Sequence, residues 1–416
     1  MIAADTEKTL MYKTKKQKGY MMETIISKCC ICRGRAETVL ELPFEDILGM
    51  AHDYTQKVGI CRKCGFIFTQ NPFPEEKLEN RYRHASKFEY DAESHVQEAS
   101  QEYKERCRRI RHYITDCIGD ISSILEIGAS SGYNLSLYRE PSITARGGVE
   151  PSAQNCRLAW ENYGIELFQG TFREFARQGV RQTYDLVFLS MILEHIVNPY
   201  AFIQQLKPFS KRYLFIEVPV MDIKNADEPF GMMCEEHVNL FTFEALNNLM
   251  AAAGYGLADA KIEYGFDKGY PAGWPCIDSI WEYGKKPVSC TPVLPASLIL
   301  DEYIKTGRKL LEQVKAKIEQ IPDHMALAVW GTGHHVSMLL KNTSLGEKHI
   351  VKFYDSDVRK HGCLMHGVPV MKFSPEDAIN SGIEGIVTGT YIFQEAIAKI
   401  LQSSDIPCQI YTLYDK

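Results

Sequence analysis

Residues 124–150 confine this chain to a short menu of folds. Ile124, Leu125 and Ile127 make an apolar strand that runs into Gly128-Ala129-Ser130-Ser131-Gly132, and Leu135 and Leu137 continue beyond it as a helix. Glycine lets the backbone turn tightly and approach a ligand where a β-carbon would not fit. A second strand, ARGGVE, ends on Glu150, twenty-four residues after Glu126. YDLVFLS followed by MILEHI, then EVPV followed by CEEHVNLF, extend the series. Strands alternating with helices predict an α/β fold on a doubly wound sheet, with ligands at the strand carboxyl ends.

The acids narrow the choice of ligand. In a dinucleotide site this strand, turn and helix offer amide groups to a pyrophosphate. Here Glu126 stands at the turn, where a carboxylate repels phosphate and suits a cationic amino-acid group. That favours S-adenosylmethionine over NAD. Glu150 is placed to accept both ribose hydroxyls of a nucleoside. The expected cofactor contacts are therefore Glu126, Gly128, Ser130, Gly132 and Glu150, with Leu189 and Ser190 bordering the methionine part. A bare βα connection would explain the glycines but not the ordered acid and the strands that follow.

With 416 residues, 45% hydrophobic and 24% charged, the chain can bury two or three cores. A net charge of −6 provides no electrostatic footprint for nucleic acid. Lys13, Lys15, Lys16 and Lys18 sit in a polar tail with no apolar secretory core, and no stretch is long and apolar enough to span a bilayer. A cytoplasmic monomer acting on a small molecule is expected, with neither nucleic acid nor membrane as partner.

Thirteen cysteines, an odd number, do not form a disulfide framework in such a chain. Cys29-Cys30-Ile31-Cys32 and Cys61-Arg62-Lys63-Cys64 instead make two C-x-x-C pairs separated by twenty-eight residues. Cys29, Cys32, Cys61 and Cys64 can supply four thiolates to one tetrahedral zinc, leaving Cys30 spare. Four protein ligands leave no open coordination position, so the ion is expected to be structural.

The remaining pattern divides the chain into a polar tail (1–27), a zinc-binding unit (28–86), a central unit (87–258), a connecting segment and helix (259–320) and a C-terminal unit (321–416). Val96 to Cys117 predicts a charged helix, and Phe241 to Ala253 a helix capped by Thr242 and stopped at Gly254. Residues 271–295, rich in Pro, Gly and Trp, form an interdomain crossing. Tyr303, Ile304, Leu310, Leu311, Val314 and Ile318 trace one helical face. A second strand, glycine turn, helix, strand and acid then run from Ala326 through Gly331-Thr332-Gly333 to Asp355. This Rossmann-like repeat lacks the third glycine of a dinucleotide fingerprint and offers His334 and His335 at its helix start. It is read either as a site for part of a substrate or as scaffold.

Taken together, the cysteine pairs, the Glu126 to Gly132 turn, Glu194-His195, and Glu236-His237 followed by Phe241-Thr242 resemble the sugar C-methyltransferases that act on nucleotide-linked deoxysugar ketones. The resemblance covers nearly everything after the tail. It implies a class I (Rossmann-like) methyltransferase core between a zinc-binding domain and a C-terminal Rossmann-like domain, with S-adenosylmethionine in the centre and a sugar nucleotide between the last two units. A base would remove the proton beside the ketone and the carbanion would take the sulfonium methyl. His237, Glu236 and His195 match the family's base and its supporting residues.

The sequence departs from the family where substrate would be touched. Cys234 stands where a tyrosine is common, three residues before His237, and the Tyr82-Arg83-His84-Ala85-Ser86 segment has His84 in place of a second tyrosine. Tyr82, His84 and Cys234 are thus the candidate substrate contacts. Histidine suits the base role because its ordinary pKa lies near neutrality. Two other readings are methylation of oxygen or nitrogen on a related small molecule, and a zinc-dependent binding protein on a methyltransferase-like scaffold.

Overall fold

The computed structural model describes residues 25–45, 53–84, 100–221, 228–263, 275–287 and 295–415. The lysine tail, Ala85-Ser86 and much of the 271–295 crossing lie outside them, as does the side chain of His84.

Three sheets organise the described chain. The first unit contributes β1 (Ala36–Phe44), β2 (Tyr54–Cys61) and β3 (Ile67–Thr69), followed by helix α1 (Glu75–His84). Helix α2 (Gln101–Ile118) then leads into β4 (Ser123–Ile127), α3 (Tyr133–Ser136), β5 (Ala145–Glu150), α4 (Ala153–Tyr163), β6 (Phe168–Gln169), α5 (Phe172–Arg177), β7 (Tyr184–Ser190), α6 (Pro199–Leu206) and β8 (Ser210–Pro219). After β8 come β9 (Asn239–Leu240), α7 (Phe243–Ala252), β10 (Tyr255–Glu263) and β11 (Cys276–Tyr283). The central sheet runs β10-β11-β8-β7-β4-β5-β6, with β11 antiparallel to both neighbours and the other pairs parallel. This is the doubly wound α/β core expected, with the order reversing beside β4, where the glycine turn opens a crevice.

Local chemistry sets the helix starts. Ser152 accepts from the Asn155 N–H, Thr242 from Ala245, and Thr171 forms a reciprocal capping box with Glu174. Each such cap contributes about 1 kcal/mol. Strand β4 is buried along its whole length because helices cover both of its faces, so its sequence is apolar apart from Ser123 and Glu126.

Helix α8 (Ala296–Glu319) connects to the last unit, whose elements are β12 (Leu327–Trp330), α9 (His334–Asn342), β13 (Ile350–Tyr354), β14 (Leu364–Met365), β15 (Val368–Met371), α10 (Pro375–Asn380), β16 (Gly385–Thr388), α11 (Gln394–Ser403) and β17 (Gln409–Thr412). Its sheet is ordered β14-β15-β13-β12-β16-β17 and is parallel except for the short β14 edge. The buried stripe of α8 includes Tyr303, Ile304, Leu311, Val314 and Ile318, and also Gly307. A β-carbon at Gly307 would come within 2.8 Å of the Phe230 ring, so the glycine makes room for the loop before β9.

The first sheet is completed from elsewhere in the chain. Its order is β1-β2-β3-β9, and β9 is drawn from the middle of the sequence. The last unit hooks onto the opposite edge: Glu45 N–H donates to the Ser337 carbonyl, and the Ser337 hydroxyl and Asn342 amide donate to the carbonyls of Glu45 and Pro43. One buried apolar cluster accordingly includes Leu42, Met233, Tyr303 and Leu339, which come from four different parts of the chain.

Candidate active site

The carboxyl ends of both doubly wound sheets open onto one cavity of about 1430 Å³. Gly128, Ser130, Glu150 and Ser190 line it from the central sheet, and Gly331, Thr332, Asp355 and Gly389 from the C-terminal sheet. Helix α1 presents Glu75, Leu78, Glu79 and Tyr82, spaced as one helical face, as a third wall.

At the central turn, Gly128 and Gly132 adopt the left-handed backbone region that glycine favours. A β-carbon on Gly128 would meet the Ile192 side chain at 2.4 Å, and one on Gly132 would meet Ala159 at 2.8 Å. Gly128 faces the cavity; Gly132 instead lets the turn pack against α4. Glu150 receives the N–H groups of Ser130 and Ser152, each at 2.9 Å, which holds its carboxylate at the crevice. Glu126 is buried, lines the cavity, and its Oε2 has no hydrogen-bond partner among the described residues. Burial pushes its pKa up to about 8, opposed by Asn134 and reinforced by Glu150. An orphaned buried carboxylate oxygen fits the ammonium of an amino-acid ligand, which would supply the missing donor.

At the end of β7 the expected pair separates. Phe188 and Ser190 face the cavity, whereas Leu189, between them, is fully buried on the other face with Val187 and Leu193. Strand alternation explains the difference. Ser190 donates to Glu217 Oε2 at 2.6 Å, and Glu217 forms a two-pronged buried ion pair with Arg106 of α2, one prong measuring 2.8 Å. Arg106 also lines the cavity. Sequence reasoning missed it: among Arg106, Arg108, Arg109 and Arg111, no local pattern singles out the one that turns inward.

His195 and His237 both line the cavity, with ring centroids 5.2 Å apart. His195 Nδ1 lies 3.0 Å from the Glu236 carbonyl oxygen and His237 Nδ1 lies 3.3 Å from that of Met232. A carbonyl only accepts, so each neutral ring carries its proton on Nδ1 and keeps a basic Nε2. Glu194 Oε1 lies 3.6 Å from His195 Nε2, where it would stabilise an imidazolium. Tyr82 sets its ring against His195, centroids 5.7 Å apart, and its buried hydroxyl has no hydrogen-bond partner among the described residues. Burial, followed by the Glu236 charge, pushes that hydroxyl's pKa well up, so it remains a donor.

Glu236 and Cys234 are placed behind the cavity wall. Glu236 pairs with Arg81, and the Cys234 carbonyl accepts from Gln56. Arg81 is a second residue the sequence did not mark.

Across the cavity, Asp355 accepts from the Thr332 N–H at 3.1 Å and from Lys360 Nζ at 2.9 Å. Val358, Arg359, Phe393, Ile397 and Ile400 continue this wall, and Phe393 is 52% exposed. His335 is held neutral, its pKa brought down to about 3 by burial and then by His334.

Cys29, Cys32, Cys61 and Cys64 converge so that their sulfur atoms all lie within 4.8 Å of one another. The Cys29–Cys64 and Cys32–Cys61 separations are 3.6 and 3.4 Å, near the roughly 3.8 Å edge of a tetrahedron with 2.3 Å bonds. A β-carbon on Gly34 would lie within 3.2 Å of two of these sulfurs, so the loop leaves the cradle open. Four thiolates in this arrangement could hold one metal ion.

Residues 98–259 match the family model described as a methyltransferase domain. The chain carries an S-adenosylmethionine-dependent methyltransferase. The methyltransferase is 23% identical over 360 residues to the C-methyltransferase NovU of Streptomyces niveus, covering 80% of each chain. Among solved structures, a SAM-dependent methyltransferase from Archaeoglobus fulgidus aligns with 43% of this chain and 94% of its own, at 17% identity and a TM-score of 0.33. The magnesium protoporphyrin IX methyltransferase of Synechocystis PCC 6803, solved with SAH bound, aligns with 50% of this chain and all of its own, at 12% identity and a TM-score of 0.37. Among the described residues no helix of the methyltransferase is long and apolar enough to cross a membrane.

Proposed function

We propose that the protein methylates a carbon beside the ketone of a nucleotide-linked deoxysugar. The observation that carries this reading is the single cavity joining the Glu126–Glu150 turn to the Gly331–Asp355 turn, with His195 and His237 on its wall. The name of the NovU relative, a C-methyltransferase, points the same way.

S-adenosylmethionine, when bound, supplies a methyl group already activated on sulfur, so no catalytic metal is required. Glu126 holds the ammonium group and Glu150 the ribose hydroxyls. His237, through its unprotonated Nε2, takes the proton from the carbon, while Tyr82 donates a hydrogen bond to the ketone oxygen as negative charge grows there. His195, supported by Glu194, assists as a second acid–base group. Across the cavity, Arg359 and Lys360 meet the diphosphate, and Val358, Phe393 and Ile397 cover the nucleobase. The four-cysteine unit holds a structural zinc, and residues 28–86, 87–258 and 321–416 act as zinc, methyltransferase and substrate domains of a monomer.

The test is S-adenosylhomocysteine release on nucleotide-sugar ketones deuterated beside the carbonyl. Loss of label from carbon with methylation is expected; methylation with the label retained would move the assignment to oxygen or nitrogen. His237→Gln should bind S-adenosylmethionine normally and lose about 100-fold or more in turnover. Near-normal turnover would remove His237 from the mechanism.

A further inference from the structure

The segment carrying Glu235, Glu236 and His237 is attached to the N-terminal unit as well as to the sheet it follows. Gln56 Nε2 donates to the Cys234 carbonyl at 3.0 Å, and the Thr69 N–H donates to the Val238 carbonyl at 2.7 Å. Directly beyond, β9 pairs with β3. The strongest tie is Arg81 of α1, whose guanidinium reaches Glu235 Oε1 at 2.7 Å and Glu236 Oε1 at 2.8 Å. Both carboxylates are nearly sealed from solvent, at 2% and 6% side-chain exposure.

Two adjacent buried carboxylates repel each other, and each loses its hydration. A planar guanidinium can bridge both, which a lysine ammonium does less well. Burial works against the Arg81 charge, but Glu236 and then Glu235 outweigh it and raise its pKa further. The backbone carbonyl of Glu236 accepts from His195 Nδ1, so whatever fixes Glu236 also fixes that imidazole. The next residue along α1, Tyr82, packs its ring on the same histidine.

We propose that Arg81 is the positioning residue of the acceptor site, holding Glu235 and Glu236 so that the Glu236 carbonyl keeps His195 in its Nδ1–H tautomer beside His237. This rests on the reading that the two histidines serve the acceptor. It makes the N-terminal unit a working part of the active site, because α1 and β3 carry the residues that set its geometry.

The test uses full-length, metal-loaded protein labelled with 15N-histidine, in wild-type, Arg81→Ala and Arg81→Lys forms. Arg83→Ala, which removes the ion pair that the next arginine of α1 makes with Glu174 of α5, is the control. In Arg81→Ala the His195 ring should lose its Nδ1–H nitrogen pattern while S-adenosylmethionine affinity stays within about twofold and S-adenosylhomocysteine release falls about 100-fold. Arg81→Lys should lie between the two, and millimolar guanidinium should partly restore Arg81→Ala. If Arg81→Ala fails to fold, Arg81→Lys carries the comparison. An unchanged His195 pattern, turnover within twofold of wild type, or loss of cofactor affinity in step with turnover would overturn the proposal. The nitrogen pattern needs no acceptor, so inactivity of the wild type on keto sugars would break the substrate assignment and leave this test standing.

Discussion

The two glycine turns that meet at the cavity share a plan and differ in charge. Each follows a buried parallel strand, precedes a helix, and has an acid at the end of the next strand: Glu150 in one, Asp355 in the other. In the first, the acid is held by backbone N–H groups, and a buried carboxylate, Glu126, is left with an oxygen lacking a donor among the described residues. In the second, Val329 and Trp330 precede the glycine, and Asp355 is already paired with Lys360. The first turn therefore needs a cation to complete it. In the second the charges are already paired, Asp355 with Lys360 and Arg359 with Asp357, beside the apolar Val358, Phe393 and Ile397. The same backbone geometry carries different charges because the side chains at the strand ends differ.

The comparison is most exposed at Glu126. Glu126→Gln should weaken S-adenosylmethionine binding about 100-fold in calorimetry, the scale of a charged hydrogen bond made in a buried site. Asp355→Asn should leave that affinity unchanged. Equal losses in the two variants would erase the distinction between the turns.

A pH series sharpens the same point. With a folded pKa of about 8, against an ordinary value near 4.5, Glu126 binds more protons folded than unfolded between those two values. Its contribution to stability therefore falls as pH rises through that window and levels off above about pH 8. Ligand-free wild type should lose melting temperature relative to Glu126→Gln from pH 5 to 8, while its S-adenosylmethionine affinity rises. Parallel melting curves for the two proteins would show that Glu126 is not held protonated.

Smaller effects are expected at the second turn. Arg359→Ala should raise the acceptor KM about 10-fold through loss of a charged contact to the acceptor, with cofactor affinity unaltered. Phe393→Ala should raise it about fivefold by removing apolar cover. An Arg359→Ala effect on the cofactor but not on the acceptor would reverse the assignment of the two halves.

Much of this plan is legible without coordinates. The strand-turn-helix of 124–137, the acid at Glu150, the cap at Thr242 and the C-x-x-C pairs are local patterns, and local patterns survive in sequence because they depend on neighbours along the chain. The inner stripe of α8 is legible for the same reason, apart from Leu310, which is only half-buried, and Gly307, whose burial depends on Phe230 from a distant loop. Adjacency in sequence makes Leu189 and Ser190 equal candidates for cofactor contact, but strand alternation sends only the serine to the cavity.

Other features required the third dimension. Arg106 is one arginine among several on α2 until Glu217 and Ser190, contributed by two other strands, meet it. Arg81 gains its role because Glu235 and Glu236, more than 150 positions later, fold back onto α1. β9 joins the N-terminal sheet through backbone hydrogen bonds that carry no sequence signature. The sequence alone determined the α/β class, the glycine turns, the paired acids and the four cysteines, since each follows from residue type and spacing. Only the tertiary structure decided that two sheets share one cavity and which charges are buried together, because desolvation and pairing depend on distances between residues far apart in the chain.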